Sequence, residues 1–357
     1  MEQLSNQIKI RRPDDWHLHL RDGATLSAVL PFTAKVFKRA IVMPNLQPPI
    51  TSIKAASEYR QRISDSTPRG TDFEPLITAY LTDDFSSKEL EKGYVENIFF
   101  AAKLYPANVT TNSSSGVTDL SKVDNIFSLM EDIGMPLLIH GEVTDKNIDI
   151  FDREAIFIEK YLKPLMHNHP KLRIVLEHIT TIQAIDFVEK SGPNIAATIT
   201  PHHLHINRND MFRGGLRSDF YCLPVAKREN HRIALRNAAT SGKSCFFLGT
   251  DSAPHPRYLK ESSCSCAGIF NSPFAIESYA EVFDEEGALE NLESFSSEFG
   301  ASFYKLPLNI DSITLARKDH FVTKSYEFLD EHNNKESVVP FHAGEKLRWS
   351  VLQDTNF

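Results

Sequence analysis

Eight short apolar segments recur along the chain, separated by stretches that have the spacing of amphipathic helices. Most of the eight are apolar almost throughout, which is typical of parallel strands buried on both faces. Strands that alternate with helices predict a parallel α/β architecture, and the number eight favours a closed (β/α)8 TIM barrel. The predicted strands are residues 9–11, 40–43, 76–81, 99–104, 137–140, 173–177, 196–199 and 245–248. The predicted helices are residues 52–66, 122–133, 151–166, 181–190 and 227–241.

The length of 357 residues allows either one large barrel or two domains. No linker, internal repeat or low-complexity tract divides the sequence, so we expect a single barrel domain over residues 1–357. Residues after about 255 are predicted to be mainly helical and loop-like. A short tail at 341–351 is expected to return to the edge of the barrel.

The composition excludes several classes of protein. Hydrophobic residues make up 41% and charged residues 24%, which is typical of a soluble globular enzyme. The net charge of -8 argues against a nucleic-acid partner bound through its phosphates. No apolar run reaches the roughly 18 residues that a membrane span needs. The opening residues, MEQLSNQIKIRR, lack the apolar centre of a secretory signal, so we expect a cytoplasmic protein with reduced cysteines.

Unusual polar residues fall at the C-terminal ends of the predicted strands, where a barrel of this kind carries its catalytic groups. His17 and His19 follow the first strand with one residue between them, and side chains two apart in a strand share a face. Two imidazoles on one face can bind a divalent metal, and Arg21, the next residue on that face, can hold an anionic substrate. The other strand-end residues are Asn45, Lys103, His140, His178 and Asp251.

Each of these residues also has a simpler interpretation. His140 and His178 could be hydrogen-bonded core histidines, and Asp251 could cap the following turn. Lys103 lies inside the apolar run FFAAKLYP, where a lysine must lower its pKa, find a partner or extend its ammonium group to water. A neutral amine in such a place can react with carbon dioxide to give a carbamate, an oxygen ligand able to bridge two metals.

The combination is more informative than any single residue. Four histidines, one aspartate and a carbamate-forming lysine can hold two divalent metals about 3.5–4 Å apart, the separation found in two-metal hydrolases. Imidazole nitrogen together with carboxylate oxygen favours zinc, although cobalt or manganese can replace it.

The segments DWHLHLRDG, IVMPN, AAKLYP, LLIHGE, EHIT and GTDSAPH resemble the amidohydrolase superfamily. Within it, the chain is similar to the short, monofunctional dihydroorotases of bacteria, from Ile8 to the FHAGEKLRWS segment near the C-terminus. The resemblance implies the interconversion of N-carbamoyl-L-aspartate and L-dihydroorotate, the third step of pyrimidine synthesis. It also implies a homodimer.

The same resemblance implies a role for each site residue. A bridging hydroxide would attack the cyclic amide, and Asp251 would carry its proton to the leaving nitrogen. The metal ligands would be His17, His19 and Asp251 for the more buried zinc, His140 and His178 for the second, and carboxylated Lys103 between the two. The substrate carboxylate would be held by Arg21, Asn45 and His255, and the ring amide edge by backbone groups of Leu223 and Ala267. Thr110 and Thr111 would belong to a mobile loop over residues 107–116, whose small polar composition also indicates a flexible lid.

Three other functions compete with this interpretation. A hydantoinase or allantoinase shares the two-metal barrel, but its neutral ring does not need Arg21 and Asn45. A non-catalytic scaffold would have lost metal ligands, whereas all six positions are filled here. A metal-dependent deaminase normally uses one metal and no bridging lysine, so Lys103 argues against it.

Two further motifs are expected to have structural rather than catalytic roles. The segment PHHLH at 201–205 offers three histidines, of which the family pattern has only the one corresponding to His203. A third metal site there is possible, but support of the neighbouring site is the favoured interpretation. Cys264 and Cys266 lack the spacing of a zinc ribbon and are expected to pack beside the substrate-binding backbone.

Overall fold

A curved sheet of eight parallel strands forms the centre of the protein in a computed structural model, which describes residues 6–352. Neighbouring barrel strands follow one another in chain order, and a parallel bridge between Leu18 and Ser252 joins the first strand to the end of the last. The predicted (β/α)8 barrel is therefore confirmed. The strands are β1 (Gln7–Arg11), β2 (Asp15–Leu18), β3 (Arg39–Val42), β4 (Glu74–Tyr80), β5 (Ala101–Leu104), β6 (Leu137–Ile139), β7 (Ile174–Leu176), β8 (Ile195–Ile199), β9 (Phe246–Leu248), β10 (Ser312–Phe321), β11 (Tyr326–Leu329), β12 (Lys335–Val338) and β13 (Lys346–Leu352). The barrel consists of β2 to β9.

Helices connect the barrel strands and cover their outer faces. Ser52 and Thr181 accept hydrogen bonds from backbone N–H groups three residues later, so each caps the helix that the sequence predicts to begin there. The α-helices are α1 (Gly23–Val36), α2 (Ile53–Ser66), α3 (Ser87–Val95), α4 (Asp124–Ile133), α5 (Arg153–Phe157), α6 (Lys163–Asn168), α7 (Ile182–Lys190), α8 (Pro201–His205), α9 (Glu229–Thr240), α10 (Arg257–Lys260), α11 (Ala275–Glu285) and α12 (Phe299–Phe303). All five predicted helices are present, although the one at 151–166 is divided into α5 and α6 by a π-helical turn at Ile158–Leu162.

The prediction for the first strand was wrong. Residues 9–11 lie in β1, which pairs antiparallel with β10 in a separate sheet of order β1–β10–β13. The first barrel strand is β2, whose sequence DWHL contains His17 itself. The polar side chains of β2 interrupt the apolar run by which the other barrel strands were predicted. The burial of β1 alternates along the strand, as in a strand that has one exposed face.

The prediction for the C-terminal region was also partly wrong, because β10, β11 and β12 replace the expected loops. These strands are half-exposed and rich in charged residues, so they lack the apolar signal of the barrel strands. The tail at 341–351 does return, since β13 pairs with β10 and the indole N–H of Trp349 donates to Asp284 of α11. Met1–Ser5, on which part of the signal-peptide and domain predictions rest, lie outside the described residues.

An aromatic layer closes the barrel below the polar residues. The rings of Trp16 and Tyr304 lie 4.8 Å apart, and Phe247 contacts Tyr304 from a neighbouring strand. A Cβ atom at Gly300 would lie 2.0 Å from the Trp16 indole nitrogen, so this position must be glycine. The layer keeps water away from one end of the barrel and leaves the site open at the other.

Within the described residues, none of the helices has the length and apolar character that crossing a bilayer requires.

Candidate metal centre and active site

Three potential metal ligands meet where β2 and β9 end. Nε2 of His17 lies 3.4 Å from Nε2 of His19, and Oδ1 of Asp251 lies 3.3 Å and 3.2 Å from these two nitrogens. The strand ends are held together because the Asp251 N–H donates to the His17 carbonyl and the His19 N–H to that of Ser252. This triangle of one oxygen and two nitrogens has the size and chemistry of a divalent metal site.

The imidazole nitrogens that face this triangle are free to bind a metal. Nδ1 of His19 lies 2.8 Å from the amide oxygen of Asn45, and Nδ1 of His17 lies 2.8 Å from Glu177. Asn45 offers an acceptor, so Nδ1 of His19 carries the proton and Nε2 of His19 keeps its lone pair. The contact between His17 and Glu177 is close but lacks hydrogen-bond geometry. Burial lowers the pKa of His19 to about 3. Burial alone would raise the pKa of Asp251, but the adjacent imidazoles of His17 and His19 hold it well below its usual range.

His140 and His178 continue the row of imidazoles along β6 and β7. The ring centroids of His178 lie 4.9 Å from His17 and 4.7 Å from His140. Nδ1 of His178 is buried without a hydrogen-bond partner among the described residues, and His17, Glu177 and His178 form a second group of potential ligands. Nε2 of His140 instead lies 2.7 Å from Glu142.

Lys103 in β5 is completely buried and contacts the carboxylate of Glu177. Burial lowers the pKa of Lys103 well below its usual range, although the charge of Asp251 acts in the opposite direction. The ammonium nitrogen also lies 4.8 Å from the centroid of the Tyr105 ring. A lysine at this position could lower its pKa, find a partner or extend its ammonium group to water. Lys103 has a lowered pKa and a partner in Glu177, and its complete burial excludes contact with water.

Three buried carboxylates beside the histidines were missed by the sequence analysis. Glu177 directly precedes His178 in EHIT, and Glu142 follows His140 by two residues in HGE. A charged residue at the end of an apolar strand was the sequence signal that could have identified both. Asp15 accepts hydrogen bonds from the backbone and hydroxyl of Thr250, at 2.9 and 2.6 Å. Burial raises the pKa of Asp15 to about 6, against these hydrogen bonds.

Arg21 and His255 lie together on the open side of the metal cluster. Nη2 of Arg21 lies 2.8 Å from Nε2 of His255, and Nε of Arg21 donates to the carbonyl of Pro254. Burial and the charge of Arg21 lower the pKa of His255 to about 2, so the imidazole is neutral and accepts from the guanidinium. The pair places a fixed cation beside the cleft.

The loop at 107–116 covers this cleft. The Asn45 amide donates to the Thr111 carbonyl at 3.0 Å, and the Thr111 hydroxyl lies 3.4 Å from the Ala267 carbonyl. The Ser113 side chain ties the loop to the Thr110 backbone. The cleft is about 350 Å³ when the open solvent in it is included. Of the predicted site residues, all but Lys103 and His255 line it: His17, His19, Arg21, Asn45, Thr110, Thr111, His140, His178, Leu223, Asp251 and Ala267.

Lys260 is a positioning residue that the sequence analysis did not identify. Its buried ammonium group donates to the carbonyls of Tyr221, Cys266 and Gly268 at 2.9, 3.0 and 2.7 Å. Burial lowers the pKa of Lys260 to about 8. The three bonds connect the loop that carries Leu223 to the loop that carries Ala267.

The histidines of PHHLH support the same region. Nδ1 of His203 lies 2.8 Å from the Thr200 hydroxyl and its Nε2 3.0 Å from the Pro224 carbonyl, so both nitrogens are engaged. His202, His203 and Cys222 lie close together, but the bonds of His203 favour a structural role. All four cysteines of the chain are free thiols, and Cys264 is exposed.

The barrel with its imidazole and carboxylate cluster has the architecture of a metal-dependent hydrolase. Residues 14–323 match the family model described as "Amidohydrolase family". The chain is also similar over its whole length to proteins named dihydroorotase. That of Synechococcus sp. strain CC9605 is 62% identical over 98% of this chain and 97% of the relative. That of Sphingopyxis alaskensis is 57% identical over 98% of this chain and 100% of the relative.

Solved structures agree with these relatives. The dihydroorotase of Saccharomyces cerevisiae in complex with 5-fluoroorotic acid superposes with a TM-score of 0.89 at 35% identity, over 98% of this chain and 100% of that one. The dihydroorotase of Campylobacter jejuni gives 0.88 at 36% identity, over 99% of both chains. The L-hydantoinase of Arthrobacter aurescens, at 16% identity and a TM-score of 0.79 over 97% of this chain and 83% of that one, shares the fold. The chain belongs to the amidohydrolase family and, within it, to the dihydroorotases.

Proposed function

We propose that this enzyme interconverts N-carbamoyl-L-aspartate and L-dihydroorotate, the third step of pyrimidine synthesis, with two zinc ions held by its strand-end residues. The observation that carries the proposal is a single cleft in which the His17–His19–Asp251 triangle faces the guanidinium of Arg21. A metal cluster beside a fixed cation suits a cyclic amide that bears a carboxylate.

We expect these residues to hold two metal ions. His17, His19 and Asp251 would hold the more buried zinc, and His140 and His178 the second. Buried imidazoles with lowered pKa values and the unpartnered Nδ1 of His178 support these assignments. Lys103 is suited to carboxylation because its buried amine has a strongly lowered pKa, and the carbamate would bridge the pair. When bound, the metals supply Lewis acidity that makes water nucleophilic at neutral pH and polarises a carbonyl.

Asp251 would move the proton during the reaction. Its pKa is held well below the usual range, so the carboxylate is ionised and can accept a proton from the attacking water. It would then donate this proton to the ring nitrogen as the amide bond breaks. In the biosynthetic direction Asp251 takes the proton from the carbamoyl nitrogen and ring closure releases water.

Substrate recognition would use groups on several loops. Arg21, Asn45 and His255 would bind the carboxylate, because a guanidinium offers two parallel donors to a planar anion. Backbone groups of Leu223 and Ala267 would bond the ring amide edge. Thr110 and Thr111 would exclude water when the loop closes.

A hydantoinase or allantoinase activity is less well supported. The likeness to hydantoinases extends to the fold, whereas the dihydroorotases match at 56–62% identity over nearly the whole chain. The half-buried Arg21 also has no anion to bind if the substrate is a neutral ring. A single barrel domain, a homodimer and a cytoplasmic location remain predictions.

The ring-opening of L-dihydroorotate by the purified protein, followed in the ultraviolet, tests the proposal. Hydantoin and allantoin serve as parallel substrates. We expect turnover of dihydroorotate alone, lost after treatment with a chelator and restored by zinc. Turnover of hydantoin or allantoin instead would contradict the substrate assignment while leaving the metal assignment intact.

A further inference from the structure

A second cleft, about 310 Å³ when the open solvent in it is included, lies between α5, α7 and α9 and shares no lining residue with the active-site cleft. Its lining includes Lys227 and Arg228, which precede α9, and His231 in the first turn of α9, together with Phe151 and Asp152. Two cations and an imidazole therefore converge on one hollow in a chain whose net charge is -8.

Lys227 is buried with an incomplete set of hydrogen bonds. Its side chain is only 4% exposed, and its ammonium group donates one hydrogen bond, to the Val225 carbonyl at 2.9 Å. The acid whose charge acts on it is Glu154, but both oxygens of Glu154 accept hydrogen bonds from Thr180 and Thr181. Among the described residues, two of the three ammonium protons have no acceptor. Glu154 balances the charge of Lys227, but the two remaining ammonium protons are left to an acceptor in the cleft, such as an oxyanion.

His231 presents a second donor to the cleft. Its Nδ1 accepts a hydrogen bond from the Ile182 N–H at 3.0 Å, so the proton of the neutral ring is on Nε2. Burial and the charges of Lys227 and Arg228 lower the pKa of His231, which keeps the ring neutral. The N–H of Ile182 at the start of α7 is thereby used within the protein.

Arg228 supplies an uncommitted guanidinium. Its side chain is exposed and makes no hydrogen bond or ion pair with any residue in 6–352. Arg208, stacked 5.1 Å from the Phe151 ring, adds another positive charge beside the cleft. Lys227, Arg228 and Arg208 are three cations against two carboxylates, Asp152 in the lining and the buried Glu154 beside Lys227, so positive charge is in excess by one.

We propose that this cleft is a binding site for a phosphate group, either free or as part of a small phosphomonoester. Lys227 would supply a buried point charge, Arg228 a two-pronged donor and His231 a neutral N–H. This donor set suits the three terminal oxygens of a tetrahedral dianion better than the two oxygens of a carboxylate.

Titration calorimetry on the metal-loaded, full-length enzyme at constant ionic strength in chloride tests the site. Inorganic phosphate and ribose 5-phosphate are the probes, and saturating L-dihydroorotate is present in a parallel titration. We expect saturable binding that L-dihydroorotate does not displace. Tighter binding of ribose 5-phosphate would support a phosphomonoester ligand, and equal binding would support free phosphate.

Arg228→Gln is the matched variant, because the side chain is exposed and its loss leaves no partner unsatisfied. We expect phosphate affinity to fall at least tenfold with dihydroorotate turnover in chloride unchanged. Arg69→Gln makes the same charge change at another exposed arginine and should bind phosphate like the parent. Absence of saturable binding, equal affinity in Arg228→Gln and the parent, or displacement by L-dihydroorotate would each overturn the proposal.

Discussion

Nδ1 of His17 lies 2.8 Å from a carboxylate oxygen of Glu177. The other oxygen of this carboxylate contacts the ammonium group of Lys103. Glu177 therefore contacts two of the proposed metal-binding residues, and Nε2 of His17 lies on the side of Asp251, 3.3 Å from its carboxylate. A buried carboxylate beside a metal-binding histidine raises the basicity of the ligand.

Glu177→Gln should weaken metal binding. The amide keeps the size of the side chain but loses the negative charge beside His17 and Lys103, so we expect zinc affinity to fall about 10- to 100-fold. Competition with a chromophoric chelator measures this affinity. Glu159→Gln, at an exposed glutamate paired with Lys163, is the control and should bind zinc like the parent. Unchanged affinity in Glu177→Gln would show that the carboxylate does not position the ligand.

Lys103→Ala should abolish the two-metal site. The substitution removes the amine that would carry the bridging carbamate and leaves Glu177 without its partner in the buried region. We expect fewer than two metals per chain by atomic emission and a loss of turnover of at least about 100-fold, as for the removal of a principal catalytic group. Full activity with two metals still bound would contradict the bridging role.

Arg21→Met should raise KM for L-dihydroorotate while the metal content stays the same. A charge-assisted hydrogen bond contributes about 1.5–3 kcal/mol, which corresponds to an increase in KM of roughly 10- to 150-fold. Steady-state kinetics and metal analysis on the same preparation give both quantities. Arg69→Met, at an exposed arginine away from the cleft, should change neither. An unchanged KM in Arg21→Met would remove this residue from substrate binding.

Lys260→Met should raise KM more than it lowers kcat. Methionine has similar length but cannot donate to the carbonyls of Tyr221, Cys266 and Gly268, so the loops carrying Leu223 and Ala267 lose their connection. We expect a KM increase of about tenfold, equivalent to one hydrogen bond of about 1.4 kcal/mol at the substrate. The exposed Lys88→Met is the control. A fall in kcat alone would exclude a role in positioning these loops.

Glu277→Gln should stabilise the protein at alkaline pH. Burial raises the pKa of Glu277 in α11 from 4.5 to about 7, and one carboxylate oxygen has no hydrogen-bond partner among the described residues. Between these pH values the folded chain holds a proton that the unfolded chain has lost, so stability falls as pH rises through this window. The penalty reaches about 3 kcal/mol above pH 7.

Glutamine cannot ionise and keeps an oxygen for the Val351 N–H, which donates to Glu277 at 3.3 Å. The variant and the parent should therefore unfold at similar temperatures near pH 4.5, with the variant more stable at pH 8. Thermal unfolding followed by circular dichroism across this range measures the difference. A difference that does not change with pH would contradict the raised pKa.

Local patterns in the sequence were enough to identify most of the barrel and its strand-end residues. Continuous apolar runs predicted seven of the eight barrel strands, because burial on both faces leaves a signal within each strand. The polar residues that end these runs were likewise visible, since side-chain alternation and strand ends are properties of a few adjacent residues. Lys103 was conspicuous because a charge interrupts the apolar sequence FFAAKLYP.

The tertiary structure decided which of these residues meet. The contacts of Glu177 with Lys103 and of Arg21 with His255 join positions 74 and 234 residues apart, and no local pattern specifies them. Likewise, β1 differs from a barrel strand because it pairs with β10, near the other end of the chain. The sequence by itself determined the barrel class and the chemistry of the strand ends. Barrel closure and strand register determined the partners, because they set the distances between side chains on different strands.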